Sequence, residues 1–283
     1  MSETASSGPG QSLGIGSIVS DSFALTFQHF FAMLLIMIVP LALLGGLGYL
    51  LFGEMVSTAM IDPTAVERQV AADPQGILIN YGVMIVVMVL ALSFVYAAII
   101  SLVFDAKGGR RVSIGSAISV GLSRSVPLFV MSMVVGVLVA VVIGVVVGLI
   151  ASAVPLLGGV VALFLGFWVY GLILPFPAAV VVERLWFGAL GRSIHLTAGY
   201  RWPIVLLFIV FALALLVVQL LVALLSVVGG MLGIVGAVIT AVVFVSGIVI
   251  IYGAGAGMIA LVYARLREIK EGTSMDVMAD VFD

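Results

Sequence analysis

Few side chains in this sequence are able to do chemistry, and those few fall at the edges of long uncharged runs. Asp105 and Glu183 each follow such a run. With His195 they form the one set that could supply a general acid and base. Nothing else supports that use. His29 and His195 fall in no metal-ligand spacing such as HExxH. Cysteine is absent, which removes thiol nucleophiles, thiolate metal sites and disulfides. There is no G-x-S-x-G elbow, phosphate-binding glycine loop or dinucleotide fingerprint. The expectation is a non-enzymatic chain without metal or cofactor. The simpler role for Glu183 and Arg184 is to end a helix in a headgroup layer.

A second chemistry is positive charge at a surface. Residues 186–203, WFGALGRSIHLTAGYRWP, carry Arg192, His195 and Arg201 and no acid. Arg124 holds a similar place before an earlier apolar run. A cation near a membrane attracts anionic headgroups by about 1 kcal/mol. Arg124, Arg192, His195 and Arg201 are therefore the candidate lipid- or partner-binding residues.

A third chemistry is an interrupted helix. In GLILPFPAA, residues 171–179, Pro175 and Pro177 each remove a backbone donor and crowd the carbonyl four residues back, on Gly171 and Ile173. Inside lipid those carbonyls need partners. Two readings stay open. The broken helix lines a polar cavity, as in transporters, or neighbours repair a structural kink. Tyr170 and Gln219, the most polar residue well inside a run, join Pro175 and Pro177 as the candidate cavity or gate. Trp168 and Tyr170 also suit an interface anchor.

These residues must be positioned by elements that live in lipid. The chain has 283 residues, 64% hydrophobic and 8% charged, against about 25% charged for a soluble domain. A membrane helix needs roughly 20 apolar residues. Six uncharged runs qualify, near 31–52, 78–104, 126–152, 156–182, 203–228 and 231–263. Pro155 with Gly158 and Gly159 predicts a break between the third and fourth runs, and Gly229–Gly230 a turn between the last two. The last run is long enough to tilt or protrude. The fold expected is all-α and integral to the membrane, six helices in three hairpins spanning 15–271. A disordered tail (1–14) precedes it, and a short helix or tail (272–283) follows. The start, MSETASSGPGQSLG, lacks the basic region of a signal peptide.

Orientation follows from Lys and Arg bias. Lys107, Arg110, Arg111, Arg124, Arg184, Arg192, Arg201, Arg265, Arg267 and Lys270 all fall on one side of a six-span chain. Arg68 alone falls on the other, beside Glu54, Asp62, Glu67 and Asp73. The basic side is expected to be cytoplasmic, with both termini there. The net charge of −2 and the confinement of cations to span flanks exclude nucleic acid as a partner.

The segment before the fifth run has the spacing of an amphipathic helix, Phe187, Leu190, Ile194 and Ala198 opposite Gly188, Arg192, His195 and Gly199. Residues 15–31 repeat the design, with Val19, Phe23, Phe27 and Phe30 opposite Ser17, Asp21 and Gln28. A weaker copy, VSIGSAISVGLSRSVP, sets Ile114, Ile118 and Leu122 against Ser116, Ser119 and Ser123. The predicted unit is a cytoplasmic interfacial helix followed by a transmembrane hairpin, three times over.

Three stretches, IGSIVSDSFALTFQHF, GYRWPIVLLF and ALVYARLREIKEGTSMDVMADVFD, resemble bacterial polytopic proteins named after the membrane domain of glycerophosphoryl diester phosphodiesterases. The resemblance covers nearly the whole chain as a pattern. It implies a six-helix inner-membrane protein. In that family the membrane domain can precede a catalytic barrel. No barrel follows Asp283 here, so no phosphodiesterase activity is expected.

Small residues recur every fourth position at Gly136, Ala140, Gly144, Gly148 and Ser152, and again at Gly158, Ala162 and Gly166. The last run repeats the spacing at Gly229, Gly233, Ala237 and Ala241, with Gly253 and Gly257 later. Such ridges let helices approach closely, within the bundle or across a homodimer. Asp62 with Pro63 starts a short helix that Asp73-Pro74 ends. Gly272 stops the last span, and Ser274, Met275, Met278 and Phe282 suit a short terminal helix edge that docks on the bundle or a partner. The expected partners are anionic membrane lipids, a second copy, or another protein.

Overall fold

In hydrocarbon the backbone can bond only to itself, so apolar runs become helices. The computed structural model describes residues 12–272, and these are helical throughout with no strand. The order is α1 (Ile15–Gln28), α2 (Phe30–Ile61), α3 (Pro63–Ala72), α4 (Pro74–Lys107), α5 (Ile114–Ala153), α6 (Pro155–Ile173), α7 (Phe176–Val182), α8 (Gly188–Thr197), α9 (Arg201–Gly230) and α10 (Gly233–Glu271). Six stretches are long and apolar enough to cross a membrane: α2, α4, α5, α6 joined to α7, α9 and α10. The chain is thus a multi-pass helical membrane protein. Helices α5 and α10 have 40 and 39 residues. At 1.5 Å per residue each is roughly 60 Å long, about twice the hydrocarbon thickness, so each tilts or extends beyond it.

Helix ends follow local chemistry. Asp62 accepts from the Thr64 N–H at 3.0 Å and opens α3. Asp73 accepts from the Gly76 N–H at 2.8 Å, closing α3 and opening α4 at Pro74. Helix α5 ends at Ala153 and α6 starts at Pro155. Gly272 takes the left-handed conformation, φ 66°, that ends α10. The expected terminal edge at Ser274, Met275, Met278 and Phe282 lies outside the described residues, as do residues 1–11 of the expected tail. Leu13, expected in that tail, is buried against the core.

One element differs from expectation. No separate entry helix precedes the third span, because α5 runs unbroken from Ile114 through Pro127. A single proline removes one donor, and that loss leaves the helix intact here.

The core sits at the end of the bundle that carries the cations. There most of α4 from Val95 to Asp105 is buried, most of α10 from Gly253 to Ala264, and all of α7 but Pro177. Toward the other end the helices show Val, Leu and Ile outward, the surface expected where lipid is the solvent. Helix α4 packs most extensively on α5, α9 on α10, and α1 lies along α10.

The buried face of α1 is not the aromatic stripe. Ile18, Ser22, Leu25 and Thr26 are buried, while Phe27 is exposed. The two hydroxyls satisfy themselves within the helix: Ser22 Oγ donates to the Ile18 carbonyl at 2.5 Å, and Thr26 Oγ1 to the Ser22 carbonyl at 2.8 Å. They can therefore pack against the small residues of α10. A Cβ built at Gly253 would stand 2.9 Å from Thr26 Cγ2 and 2.8 Å from Met33 Sδ.

Gly253→Val is accordingly expected to cost about 1–3 kcal/mol through overpacking. Gly136→Val, at a site with nothing within 4 Å, is the control and should change little. Thermal unfolding in detergent measures both, and equal stability of the two variants would show that α1 does not dock there.

Candidate functional site

The basic end is organised by an ion cluster. After α7 the chain turns at Arg184, whose φ of 56° is left-handed, a conformation that costs a non-glycine residue energy and is held by its surroundings. The turn brings α8 back so that Arg192 faces Glu183. Arg192 Nε donates to both Glu183 oxygens at 2.9 and 3.0 Å, and Nη2 donates to Oε1 at 2.8 Å. Arg192 Nη1 meets Glu271 Oε1 at 2.5 Å. Arg267 Nε meets Glu271 Oε2 at 2.9 Å and lies 3.8 Å from Glu183. The Tyr263 hydroxyl donates to Glu183 Oε1, and its buried ring stands edge-on to Phe104 at 6.4 Å. Two arginines and two glutamates so balance their charge. Burial disfavours the Arg192 charge, but hydrogen bonds to Glu271 and Glu183 outweigh it and raise its pKa.

This cluster takes up two of the predicted residues. Arg192 is occupied by two carboxylates. Glu183 is occupied by two arginines and a tyrosine. His195, the candidate base, is exposed on α8, and its side chain has no hydrogen bond or ion pair among the described residues. Asp105 is buried at the end of α4. No group of three His, Cys, Asp or Glu side chains suited to a metal occurs among the described residues.

The fourth span is broken where the prolines predict. Helix α6 stops at Ile173, Leu174 and Pro175 form a turn, and α7 starts at Phe176. Helix α8 reaches the break: Ser193 Oγ donates to the Leu172 carbonyl at 2.7 Å, between the Gly171 and Ile173 carbonyls that face the two prolines. A cavity of about 290 Å³ opens beside the break, with Tyr170 and Pro177 on its wall, facing Ser93 and Tyr96 of α4 and Ser132 of α5. Tyr170 also packs on Phe208 at 4.1 Å. Gln219 belongs elsewhere, on the wall of a second cavity of about 380 Å³ between α2, α4, α9 and α10. Leu92 borders both cavities, and Tyr96 meets Tyr252 edge-on at 6.4 Å between them.

The remaining predicted cations are dispersed over the basic end. Arg201 opens α9, with its guanidinium 5.5 Å from the centre of the Trp168 ring. Its Nε is buried without a hydrogen-bond partner among the described residues. Arg124 is half-buried on α5, forms no ion pair among the described residues, and feels the charge of Arg184. Lys107 pairs with Asp21 at 2.6 Å, and Lys270 donates to the Ala198 carbonyl at 2.8 Å. On α8 the faces divide three ways. Ala189, Ser193, Leu196 and Thr197 face the bundle, Arg192 faces the cluster, and Phe187 and Ile194 point outward. Sequence reading missed Tyr263, Arg267 and Glu271 as cluster members. An alternation of sign over Arg265, Arg267, Glu268, Lys270 and Glu271 was the available signal.

Fold and site together define a polytopic α-helical membrane protein with a charge-neutral clamp at one end and two cavities among its spans. Comparison of the chain with known protein families, curated proteins and solved structures finds no match.

The clamp predicts non-additive energetics. Its side chains keep about a fifth of their surface in solvent, 23% for Arg192 and 19% for Glu183, so a fully buried value needs discounting. Glu183→Gln and Arg192→Gln are each expected to cost about 2 kcal/mol, with a coupling of about 1–2 kcal/mol between them. Thermal unfolding of the two single variants and the double variant measures the cycle, and simple additivity would show that the pair does not act as a unit.

Proposed function

We propose that this chain is a non-enzymatic membrane protein that works by holding lipids and assembling at the membrane surface. In this reading it lies in the bacterial inner membrane with the basic end and both termini in the cytoplasm. Its six spans form three hairpins. Helices α1 and α8 lie along the cytoplasmic headgroup layer, their outward Phe27, Phe187 and Ile194 dipping into the acyl boundary. The resemblance to membrane domains of glycerophosphoryl diester phosphodiesterases fits this role and carries no hydrolytic activity with it.

The observation that carries the reading is Arg201. Arg201 is partly exposed at the start of a span, and its guanidinium has no hydrogen bond or carboxylate partner among the described residues, which leaves the guanidinium charge to meet an outside acceptor. A lipid phosphate or ester supplies one. Arg124, also without a carboxylate among the described residues, adds a second cation at the same end. The closure of Glu183 by Arg192 and Tyr263 argues against acid–base chemistry there.

Arg124→Gln with Arg201→Gln is expected to lower retention of phosphatidylglycerol about fivefold per charge removed, from about 1 kcal/mol per cation. Arg68→Gln at the other end should leave it unchanged. Native mass spectrometry of particles extracted in mild detergent counts the bound lipids. Equal retention in all three proteins would refute the headgroup contact.

A second reading is favoured by the cavity at the helix break: a transporter or channel for an uncharged or amphiphilic solute, with α6–α7 as its gate. Under it Pro175→Ala with Pro177→Ala, which restores a continuous helix, abolishes solute flux in proteoliposomes while leaving lipid retention intact.

A further inference from the structure

We infer that the cavity around Gln219 is a binding site for one acyl chain of a membrane lipid, with the Gln219 amide as its hydrogen-bond donor to a chain-borne carbonyl. The site goes beyond the headgroup contact and does not depend on it. The walls come from four different helices, with Met37 and Pro40 on α2, Met88 and Leu92 on α4, Gln219 on α9 and Tyr252 on α10. All but two of these are apolar. The volume is about 380 Å³, in the range of sites that bury a small ligand.

The amide is what points to a ligand. Gln219 lies about 27 Å along α9 from Arg201, at 1.5 Å per residue, deep in an uncharged span. Its amide makes no hydrogen bond to any described residue. A primary amide carries two donors and one acceptor, and leaving them unmatched in hydrocarbon is costly. The nearby helices offer no side chain that pairs with it. Neither does the cavity suit water, because its lining is almost wholly apolar. The cavity is open to the surrounding lipid where Gln219, Met88 and Phe244 are exposed, so a chain can enter it. An acyl chain fills the apolar volume, and its ester or carboxyl carbonyl accepts from the amide. Both needs are met by a molecule that already surrounds the protein.

The shared chemistry, an apolar chain with one carbonyl, has two sources, a phospholipid and a free fatty acid. The test uses phosphatidylglycerol bearing a diazirine in one chain, photolysed in nanodiscs with the full-length protein, and peptide mapping of the adducts. Labelling is expected on the peptides holding Met37, Met88 and Tyr252. Ala91→Phe, which fills the cavity, should reduce that labelling at least tenfold and raise the melting temperature of the delipidated protein. Gln219→Leu should keep some labelling but lose the preference for an ester-linked over an ether-linked chain. Competition by unlabelled phosphatidylglycerol assigns a phospholipid, and competition by palmitate alone assigns a fatty acid. Labelling spread evenly over the outward faces of α5 and α9, or unaffected by Ala91→Phe, would overturn the site. So would a Gln219→Leu protein that turns from dimer to monomer in native mass spectrometry, since the amide would then pair two copies. Arg124→Gln with Arg201→Gln should leave the labelling unchanged, which separates failure of this site from failure of the headgroup contact.

Discussion

In hydrocarbon a polar group must carry its partner with it, and the basic end of this bundle is arranged around that constraint. The fourth span breaks at Leu174 and Pro175, exposing carbonyls that the helix would otherwise have used. Helix α8 supplies Ser193 to one of them, on Leu172. It can do so only if α8 is held against the break. The clamp of Arg192, Glu183, Glu271 and Arg267 does that holding, tying α8 to the end of α7 and to the last turn of α10. The same turn places Arg184 in a left-handed conformation. Break, repair, strained turn and clamp are one unit: remove the ion pairs and the Leu172 carbonyl loses the helix that satisfies it.

Prolines elsewhere show why the break occurs where it does. Pro40 sits inside α2 and Pro127 inside α5, and both helices continue. Each removes one donor, which a long helix absorbs through its remaining bonds. Pro175 and Pro177 stand two residues apart, so two crowded carbonyls fall in a single turn. Pro203 lies in the first turn of α9, where its missing donor would have been unpaired anyway. Position and spacing, more than the presence of proline, decide whether a span bends, breaks or begins.

Much of this was legible in the sequence because lipid imposes length and apolarity directly. The six spans, the stop at Gly272, the Asp62 cap, the end of the short helix at Asp73-Pro74 and the break at Pro175 each rest on residues adjacent in the chain. What was not legible rests on pairing at a distance. Arg192 reads as a cation open to headgroups until Glu183 and Glu271, far apart in sequence, are seen on either side of it. Ser22 and Thr26 belong to neither face read from the sequence, yet their hydroxyls close on their own helix, and small size then favours burial against Gly253. The candidate gate residues also divided. Tyr170 and Pro177 share the cavity at the break, while Gln219 lies in another, because helix rotation about α4 separates surfaces that a list of positions cannot.

The two ends of the molecule answer different solvents. Alanine and glycine in the inner parts of α4 and α10, with α1 and α7 laid against them, give close contact at the basic end. Toward the far end α5 and α6 show branched aliphatic side chains outward, and the ridge of Gly136, Gly144 and Gly148 meets nothing within 4 Å. Between spans in lipid, association gains little from hydrophobicity, since acyl chains solvate leucine as well as leucine does. Tight packing therefore needs small residues and polar bonds; the basic end gathers most of them, and a second close contact forms at the far turn, where Gly229 meets Gly236 and Thr240. The unpaired amide of Gln219 lies along α9 between these two regions of close contact, whereas Arg192 and Ser193 find their partners on the chain.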